Sequence, residues 1–332
     1  MKASLLHKSL AVTTRKSYNS GIRAYTIFCV QTGINHLPLR HEYLENFAIS
    51  LRRRVGYKTI KLYLSALQVS SILQGYTERI RDMSRLHYVL RAIRREQGNT
   101  HVRPRRLPIT FRHIRELKNY IARAYCPFDC VMLTAAITTA FFGLLRVSEY
   151  TSHSVRAYDP EITLLRHDIR FSMDYSVVHI WVKASKTDPF RSGVTIRLGA
   201  TKNEFCPVRA LDAYISLRGP AAGPLFRFSD GTYLIRRHLD YLIRHGITEN
   251  ANLHSHSFRI GAASLLCSIG LPDSVIQILG RWTSDAFRRY IHLTDPFIVN
   301  TARSMTSADL SIDRVWVADT ACSDYRDRPP VV

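Results

Sequence analysis

Apolar residues recur at helical spacing, every three or four positions, in four segments of the first hundred residues. The predicted helices run over residues 13–33, 40–51, 58–74 and 80–97. Thr13 or Thr14 is expected to cap the first helix, and Gly33 and Gly98 are expected to end the first and the fourth. Since each segment has one apolar face, the pattern predicts a helical bundle with its own core.

The periodicity stops in the segment GNTHVRPRRLPIT, residues 98–110. Glycine, two prolines and three arginines are typical of a linker. We therefore predict a boundary near residue 104, with one domain over 1–104 and a second over 105–332. The final stretch, 305–332, carries five Asp and three Arg and is expected to be a poorly ordered tail.

Beyond the linker, helical spacing alternates with a short β-rich region. Helices are predicted over residues 111–125, 128–148, 206–218 and 232–246, and again within 256–291. Strand-like runs occupy 161–171, 176–185 and 193–198, and the last two flank the turn-like segment KTDPFRSG. The fold class expected is mainly α with a small antiparallel β-sheet, an α+β protein.

The net charge of the chain predicts an anionic binding partner. The chain has 47 Lys and Arg against 26 Asp and Glu, a net charge of +21, and residues 1–105 hold 19 of the basic and 5 of the acidic residues. Such an excess favours binding to a nucleic acid, because neutralising phosphates releases counterions. The alternative is a solvated surface that serves solubility. Candidate DNA-binding residues on the fourth helix and the linker are Arg81, Arg85, Arg91, Arg94, Arg95, Arg103, Arg105 and Arg106.

Other classes are disfavoured. The longest apolar run, VMLTAAITTAFFGLL, is too short and too rich in threonine for a membrane helix and is interpreted as a buried one. The first ten residues lack the apolar core of a signal peptide, so reduced cysteines in an intracellular protein are expected. Cys126 and Cys130 have no nearby histidine in sequence, and no carboxylate cluster has metal-ligand spacing.

Several polar residues interrupt apolar helices where packing does not require them. Arg146 ends the apolar helix, and a buried guanidinium needs a partner, either Glu149 three residues on or a ligand. Lys186 lies in the hairpin turn and could equally be an ordinary exposed lysine. His256 and Arg259, at i and i+3, share a helix face.

Two aromatic residues complete the series: Trp282 and Tyr290, each of which alone would be an ordinary core residue. In this order, and downstream of a basic helical domain, the segments GLLRVSE and HSFRIGAAS…LGRW…RRYI resemble the tyrosine recombinases. This is the family of phage integrases and of the Xer and Cre recombinases. The residues of these segments are most similar to those of recombinases from DIRS-type retroelements and Crypton-like elements. The resemblance covers nearly the whole chain and implies a core-binding (SAM-like) domain followed by a tyrosine-recombinase catalytic domain.

The resemblance implies cutting and rejoining of DNA through a 3′-phosphotyrosine, without metal, cofactor or ATP. Tyr290 would be the nucleophile, and a tyrosine hydroxyl can hold the phosphate covalently. Arg146 and Arg259 would bind the non-bridging oxygens, on which charge grows in the transition state. Lys186 would protonate the leaving 5′ oxygen, and His256 would accept a proton.

The sixth position departs from the family pattern. Trp282 would donate its indole N–H to the phosphate. In the family, however, this His or Trp lies one residue further from the nucleophile than Trp282 lies from Tyr290, which is the place of Arg281. Counted from His256, Trp282 falls where it is expected. We prefer Trp282, with a one-residue deletion before the tyrosine, and leave Arg281 as the alternative.

The resemblance further implies double-stranded DNA as partner, a homotetramer on that DNA, and a mobile element as origin. The nucleus is the expected location in a eukaryotic host, and the cytoplasm or nucleoid otherwise. One alternative is a DNA-binding protein derived from such a recombinase that has lost catalysis. Another is a type IB topoisomerase, which is disfavoured because those enzymes usually have lysine at the position of His256 and histidine at that of Trp282.

Overall fold

The computed structural model describes residues 9–98, 105–185, 188, 191–249, 251–289 and 291 of the chain. The chain forms two compact units, Met1–Pro104 and Arg105–Val332. Three of the candidate residues, Arg103, Lys186 and Tyr290, lie outside the described residues, as does the predicted tail.

The first unit is the helical bundle that the apolar spacing predicted. Its described helices are α1 (Val12–Thr32), α2 (His41–Leu51), α3 (Tyr57–Leu73) and α4 (Ser84–Gln97). α1 packs against α3 and α2 against α4. The core includes Tyr25, Phe47, Ile60 and Leu86, each almost fully buried. The core forms because residues three or four apart share one face of each helix.

The boundaries of the first and the fourth helix differ from the prediction. α1 begins at Val12 with Ala11 at the N-cap, so both threonines lie inside the helix and the predicted threonine cap was wrong. Gly33 does end α1, in the left-handed conformation at φ 68°. The fourth predicted helix is interrupted at Met83, which lies between a 3-10 turn at Ile80–Asp82 and α4. The side chain of Met83 is buried at that break.

Two of the candidate arginines, one in α4 and one in the turn before it, have acidic partners. Arg85 pairs with Glu45 of α2 at 3.3 Å, and Arg81 pairs with Asp82 at 3.5 Å. These two arginines are therefore partly compensated within the protein. The pair with Glu45 forms because α2 packs against α4, a contact between residues that are distant in sequence.

In the second unit, helices surround one helix that is mostly buried. Its described helices are α5 (Phe111–Ala124), α6 (Pro127–Phe142), α7 (Val147–Tyr150), α8 (Pro207–Arg218), α9 (Arg236–Gly246), α10 (Ser257–Ser268) and α11 (Asp273–Gly280). α6 packs against α5, α8 and α10 and is buried around most of its circumference. A mainly apolar helix in such a place is a core helix, as the sequence predicted.

A three-stranded antiparallel sheet lies beside these helices. Its strands are β1 (Ile169–Phe171), β2 (Val177–Val182) and β3 (Val194–Gly199), in the order β1-β2-β3. The β2–β3 pairing sets Val178 opposite Leu198 and Ile180 opposite Ile196. The predicted strand over 161–171 is shortened to β1. The apolar residues before β1 lie in a buried loop. There the backbone N–H of Leu164 donates to the carbonyl of Glu149, and the carbonyl of Leu164 accepts from the N–H of Leu225.

The predicted helix over 128–148 is divided by a turn at 143–146. Leu144 adopts a positive φ of 45° there, and α7 starts again after Arg146. The apolar run hides this break because Leu144 and Leu145 are themselves buried. The turn gives Arg146 its position at the head of a helix instead of inside one.

Three further findings concern membrane helices, cysteines and metal sites. Of the helices in the described part of the chain, none combines the length and apolarity needed to cross a bilayer. The five described cysteines are free thiols. Among the described residues, no three His, Cys, Asp or Glu side chains are grouped closely enough to hold a metal ion.

Candidate active site

Two turns and the start of α10 bring four of the candidate residues together. Arg146 ends the turn before α7, His256 and Arg259 lie at the start of α10, and Trp282 follows α11. The Arg259 guanidinium lies 4.2 Å from the centroid of the Trp282 ring. Arg146 donates from Nη2 to the carbonyl of Arg281, the neighbour of Trp282, at 3.3 Å. Residues more than a hundred positions apart thus form one cluster.

Arg146 is held by the carboxylate that the sequence offered as its partner. Nη1 of Arg146 lies 3.0 Å from Oε1 of Glu149, and the backbone N–H of Arg146 donates to Oε2 at 2.9 Å. Glu149 is only 1% exposed and Arg146 is 14% exposed. The salt bridge therefore orients the guanidinium, and part of the Arg146 side chain still reaches the surface.

Arg259 is almost completely buried, at 1% exposure. It donates from Nη1 to the carbonyl of Leu144 and from Nη2 to that of Gly280. The Trp282 ring packs so closely against Gly280 that a Cβ at this position would overlap the ring. The hydrogen bonds and the cation–π contact fix the plane of the guanidinium.

His256 stands at the N-cap of α10 among arginines. Burial lowers the pKa of His256 to about 4, and the positive charges of Arg259, Arg106, Arg236 and Arg146 contribute to this shift in the same direction. The imidazole is therefore neutral at pH 7 and has a lone pair that can accept a proton. Several cations around one neutral base form a site that suits an anion.

Arg281 makes internal contacts with three different residues. It adopts the left-handed conformation at φ 56° and is 9% exposed. Nη1 donates to the carbonyl of Gly143 at 3.1 Å, and Nη2 donates to that of Leu144 at 3.1 Å and to Oε2 of Glu149 at 3.0 Å. Burial lowers the pKa of the Arg281 guanidinium, and the carboxylate of Glu149 opposes this shift.

The β2–β3 hairpin lies beside the Trp282 turn. A cavity of about 400 Å³ is lined on one side by Ser185, Asp188 and Gly193 and on the other by Arg281 and Trp282. Lys186 follows Ser185 directly in the sequence but is itself outside the described residues. A different lysine of this region, at position 183, is paired with Asp168 at 2.8 Å.

The two described linker arginines have different neighbours in the second unit. Arg105 donates to the carbonyl of Ile291 at 2.9 Å, and Arg106 is close enough to His256 to lower its pKa. Arg236, at the start of α9, has the same effect, and the sequence analysis missed it. Its only signal was a pair of arginines opening a helix, a common pattern that does not indicate a site.

The first unit carries its own basic groove. A cavity of about 680 Å³ lies between α3 and α4. Its charged and aromatic lining residues include Tyr57, Lys61, Arg79, Arg81, Arg91 and Arg94. The candidate Arg95 is exposed on α4 as well. Arg91 lies 5.3 Å from the ring centroid of Tyr88, and Arg94 lies 5.7 Å from that of Tyr57.

Comparison with solved structures identifies the fold. The chain is similar to a lambda integrase dimer bound to a COC′ core site, with a TM-score of 0.54 and 15% identity over 88% of this chain and 75% of the other. It is also similar to the Tn1549 transposon integrase in complex with circular intermediate DNA, with a TM-score of 0.51 and 14% identity over 86% and 98% of the two chains.

A third similar structure is the XerH site-specific recombinase bound to a palindromic difH substrate, with a TM-score of 0.52 and 14% identity over 80% of this chain and 69% of the other. No family model matches the sequence, and no curated protein does either. The neighbours are tyrosine recombinases and integrases, and the chain has the fold of that class. The predicted fold class is confirmed.

Proposed function

We propose that the protein is a site-specific DNA recombinase or integrase that cuts and rejoins DNA through a 3′-phosphotyrosine at Tyr290. The observation that carries this proposal is the convergence of Arg146, His256, Arg259 and Trp282 in one cluster of a recombinase fold. Several guanidiniums around a neutral imidazole suit a phosphodiester, which is an anion that gains charge in the transition state.

The chemistry needs one proton acceptor and one proton donor. The Tyr290 hydroxyl attacks phosphorus, the bond from phosphorus to the 5′ oxygen breaks, and neutral His256 accepts the tyrosine proton. Lys186 donates a proton to the leaving 5′ oxygen. The Lys186 assignment is supported by its sequence neighbour Ser185, which lines a cavity together with Trp282. Rejoining reverses these transfers, so the phosphotyrosine conserves the bond energy without ATP.

The two arginines bind the non-bridging oxygens. The Arg259 guanidinium is already held by two backbone carbonyls and by the Trp282 ring. The Arg146 guanidinium is held by Glu149. Preorganised cations stabilise developing charge without reorganising during the reaction. Trp282 is assigned the sixth position, where it supports Arg259 and presents its indole N–H to the phosphate.

Double-stranded DNA is the proposed partner, bound along the arginines of α4 and the linker as well as at the active site. We further propose a homotetramer on two DNA sites and an origin in a mobile element similar to DIRS-type or Crypton-like elements. In a eukaryotic host the protein would act in the nucleus. The basic groove of the first unit supports the DNA assignment.

The test is a search for a covalent adduct. The full chain is incubated with duplexes that carry a randomised core and nicks at staggered positions, because cleavage beside a nick releases a short fragment and traps the enzyme. Wild type and Tyr175→Phe, which alters an exposed tyrosine in the β1–β2 turn, are expected to form adducts that survive denaturation. Tyr290→Phe is expected to form none, and peptide mass spectrometry should place the nucleotide on Tyr290.

Two results would contradict the proposal. An adduct of normal yield with Tyr290→Phe would place the nucleophile elsewhere. Enrichment of a specific duplex by wild type without any adduct would favour the DNA-binding protein that has lost catalysis.

A further inference from the structure

Two turns of the second unit lie against each other at the centre of the candidate site. One spans residues 143–146 and the other residues 280–282. Each contains a non-glycine residue in the left-handed region, Leu144 at φ 45° and Arg281 at φ 56°. Such residues persist only where surrounding contacts hold them. The contacts that hold these two turns are therefore part of the site.

Arginine side chains cross between the turns in both directions. From the second turn, Arg281 donates to the carbonyls of Gly143 and Leu144, each at 3.1 Å. From the first turn, Arg146 donates to the carbonyl of Arg281 at 3.3 Å. Arg259, which reaches in from α10, also donates to the carbonyl of Leu144. The backbone of each turn is thus an acceptor for a side chain of the other.

One buried carboxylate joins the same network. Glu149 receives Arg146 on Oε1 and Arg281 on Oε2, both at 3.0 Å. A carboxylate shared by two cations leaves each cation only partly neutralised. Arg146 therefore keeps positive charge for an anionic ligand although its guanidinium is bound to Glu149. Without Arg281, Glu149 and Arg146 would together carry no net charge, whereas the three groups together carry a charge of +1.

We propose that Arg281 is a positioning residue, which shares Glu149 with Arg146 and holds the two turns together instead of binding the phosphate itself. This inference rests on the proposed function for the reaction that it serves. It also separates Arg281 from Trp282: the arginine fixes the carboxylate and the carbonyls around Arg146, whereas the tryptophan supports Arg259.

The test uses four variants: Arg281→Met, Arg281→Lys, Glu149→Gln and the double variant Arg281→Met/Glu149→Gln. Methionine leaves Glu149 with one cation fewer, and glutamine then removes the excess negative charge. Lysine keeps the charge but cannot reproduce the forked contacts to two carbonyls and a carboxylate. It also provides a milder change should the methionine variant fold poorly, since breaking a buried ion pair is destabilising.

The cleavage rate and the salt dependence of DNA binding distinguish positioning from direct contact. We expect Arg281→Met to cut about 100-fold more slowly, as a misplaced catalytic group does. The double variant should recover roughly tenfold of that loss, and Arg281→Lys should lie between Arg281→Met and wild type. Arg281→Met should lower the slope of log affinity against log salt, and the double variant should regain the wild-type slope because Glu149→Gln restores the net charge of the cluster.

A direct phosphate contact would give a different pattern. Arg281→Met would lower the salt slope by about one, and Glu149→Gln would restore neither the slope nor the cleavage rate. Failure of Glu149→Gln to restore either quantity overturns the positioning role, as does wild-type cleavage by Arg281→Met.

A DNA-independent measurement separates this inference from the proposed function. We expect Arg281→Met and Glu149→Gln to be coupled by roughly tenfold or more in the unfolding equilibrium constant. The control pair Arg112→Met and Glu116→Gln removes an ion pair of the same chemistry from the surface of α5, where little coupling is expected. If wild type forms no adduct, the proposed function fails, but strong coupling still supports the shared carboxylate. Coupling no larger than in the control overturns it.

Discussion

At the scale of single residues, His256 shows how burial prepares a side chain for chemistry. Among guanidiniums and shielded from water, its pKa falls from 6.5 to about 4. In the proposed reaction, a neutral imidazole can take the proton of Tyr290 at pH 7, whereas a charged one could not. A bound phosphodiester would reduce the positive potential around His256 and raise its pKa again, which would help it hold the proton it accepts.

This pKa predicts a pH-dependent stability. Between pH 6.5 and about 4 the unfolded chain protonates His256 and the folded chain does not, so acidification favours unfolding across this window. Below about pH 4 the two states bind the proton alike and the effect levels off. Relative to His256→Gln, wild type should lose up to about 3 kcal/mol of unfolding free energy between pH 7 and 4.

Urea denaturation at several pH values checks this expectation. His153→Gln, the same substitution at an exposed histidine, is the control. Parallel loss of stability by wild type and His256→Gln over the window would mean that His256 is not held neutral in the folded protein.

At the scale of elements, the site depends on how closely α11 and the following turn pack. The Trp282 ring lies against Gly280, at the last position of α11, and Arg259 binds both residues. Because Gly280 has no Cβ, the Trp282 ring has room to lie under the Arg259 guanidinium.

Gly280→Ala is expected to displace the Trp282 ring. Since the added methyl group overlaps the ring, the unfolding free energy should fall by about 1–3 kcal/mol, and near-ultraviolet circular dichroism should change. Gly199→Ala is the matched control, because a Cβ at Gly199 meets open space at the end of β3. Equal stability and spectra for the two variants would contradict the packing argument.

At the scale of the whole molecule, the excess of positive charge supports the proposed DNA binding, and this excess lies mainly in residues 1–105. The ion pairs decide which arginines carry net charge. Arg85 forms an ion pair with the nearly buried Glu45, which partly neutralises its charge. Arg91 lies over the ring of Tyr88, and an aromatic ring does not neutralise the charge of the arginine.

This difference predicts unequal roles in DNA binding. Arg91→Gln should lower the salt slope of DNA binding by about one, and Arg85→Gln should lower it less. Arg123→Gln, at an exposed position of α5, serves as the control. Fluorescence anisotropy across a salt titration measures all three slopes, and a larger effect of Arg85→Gln would contradict the assignment.

The helices were the most predictable elements. Their apolar spacing located the core of both units, and Gly33 and Gly98 stopped helices as expected. The turn at 143–146 was missed because its leucines are as apolar as the helix before it. The strand over 161–171 was predicted too long, since apolar residues in a buried loop and in a strand look alike until their hydrogen-bond partners are known.

For the candidate site, the order and types of residues could be read from the sequence, because helical spacing and a recognisable motif are local properties. The sequence also indicated the basic character of the chain and its mainly α fold. Only the tertiary structure decided that Arg281 shares Glu149 with Arg146, that Arg259 lies over Trp282, and that His256 is neutral. These properties depend on burial and on contacts between distant segments, and electrostatic energies are set by distance in space and local dielectric, not by separation along the chain.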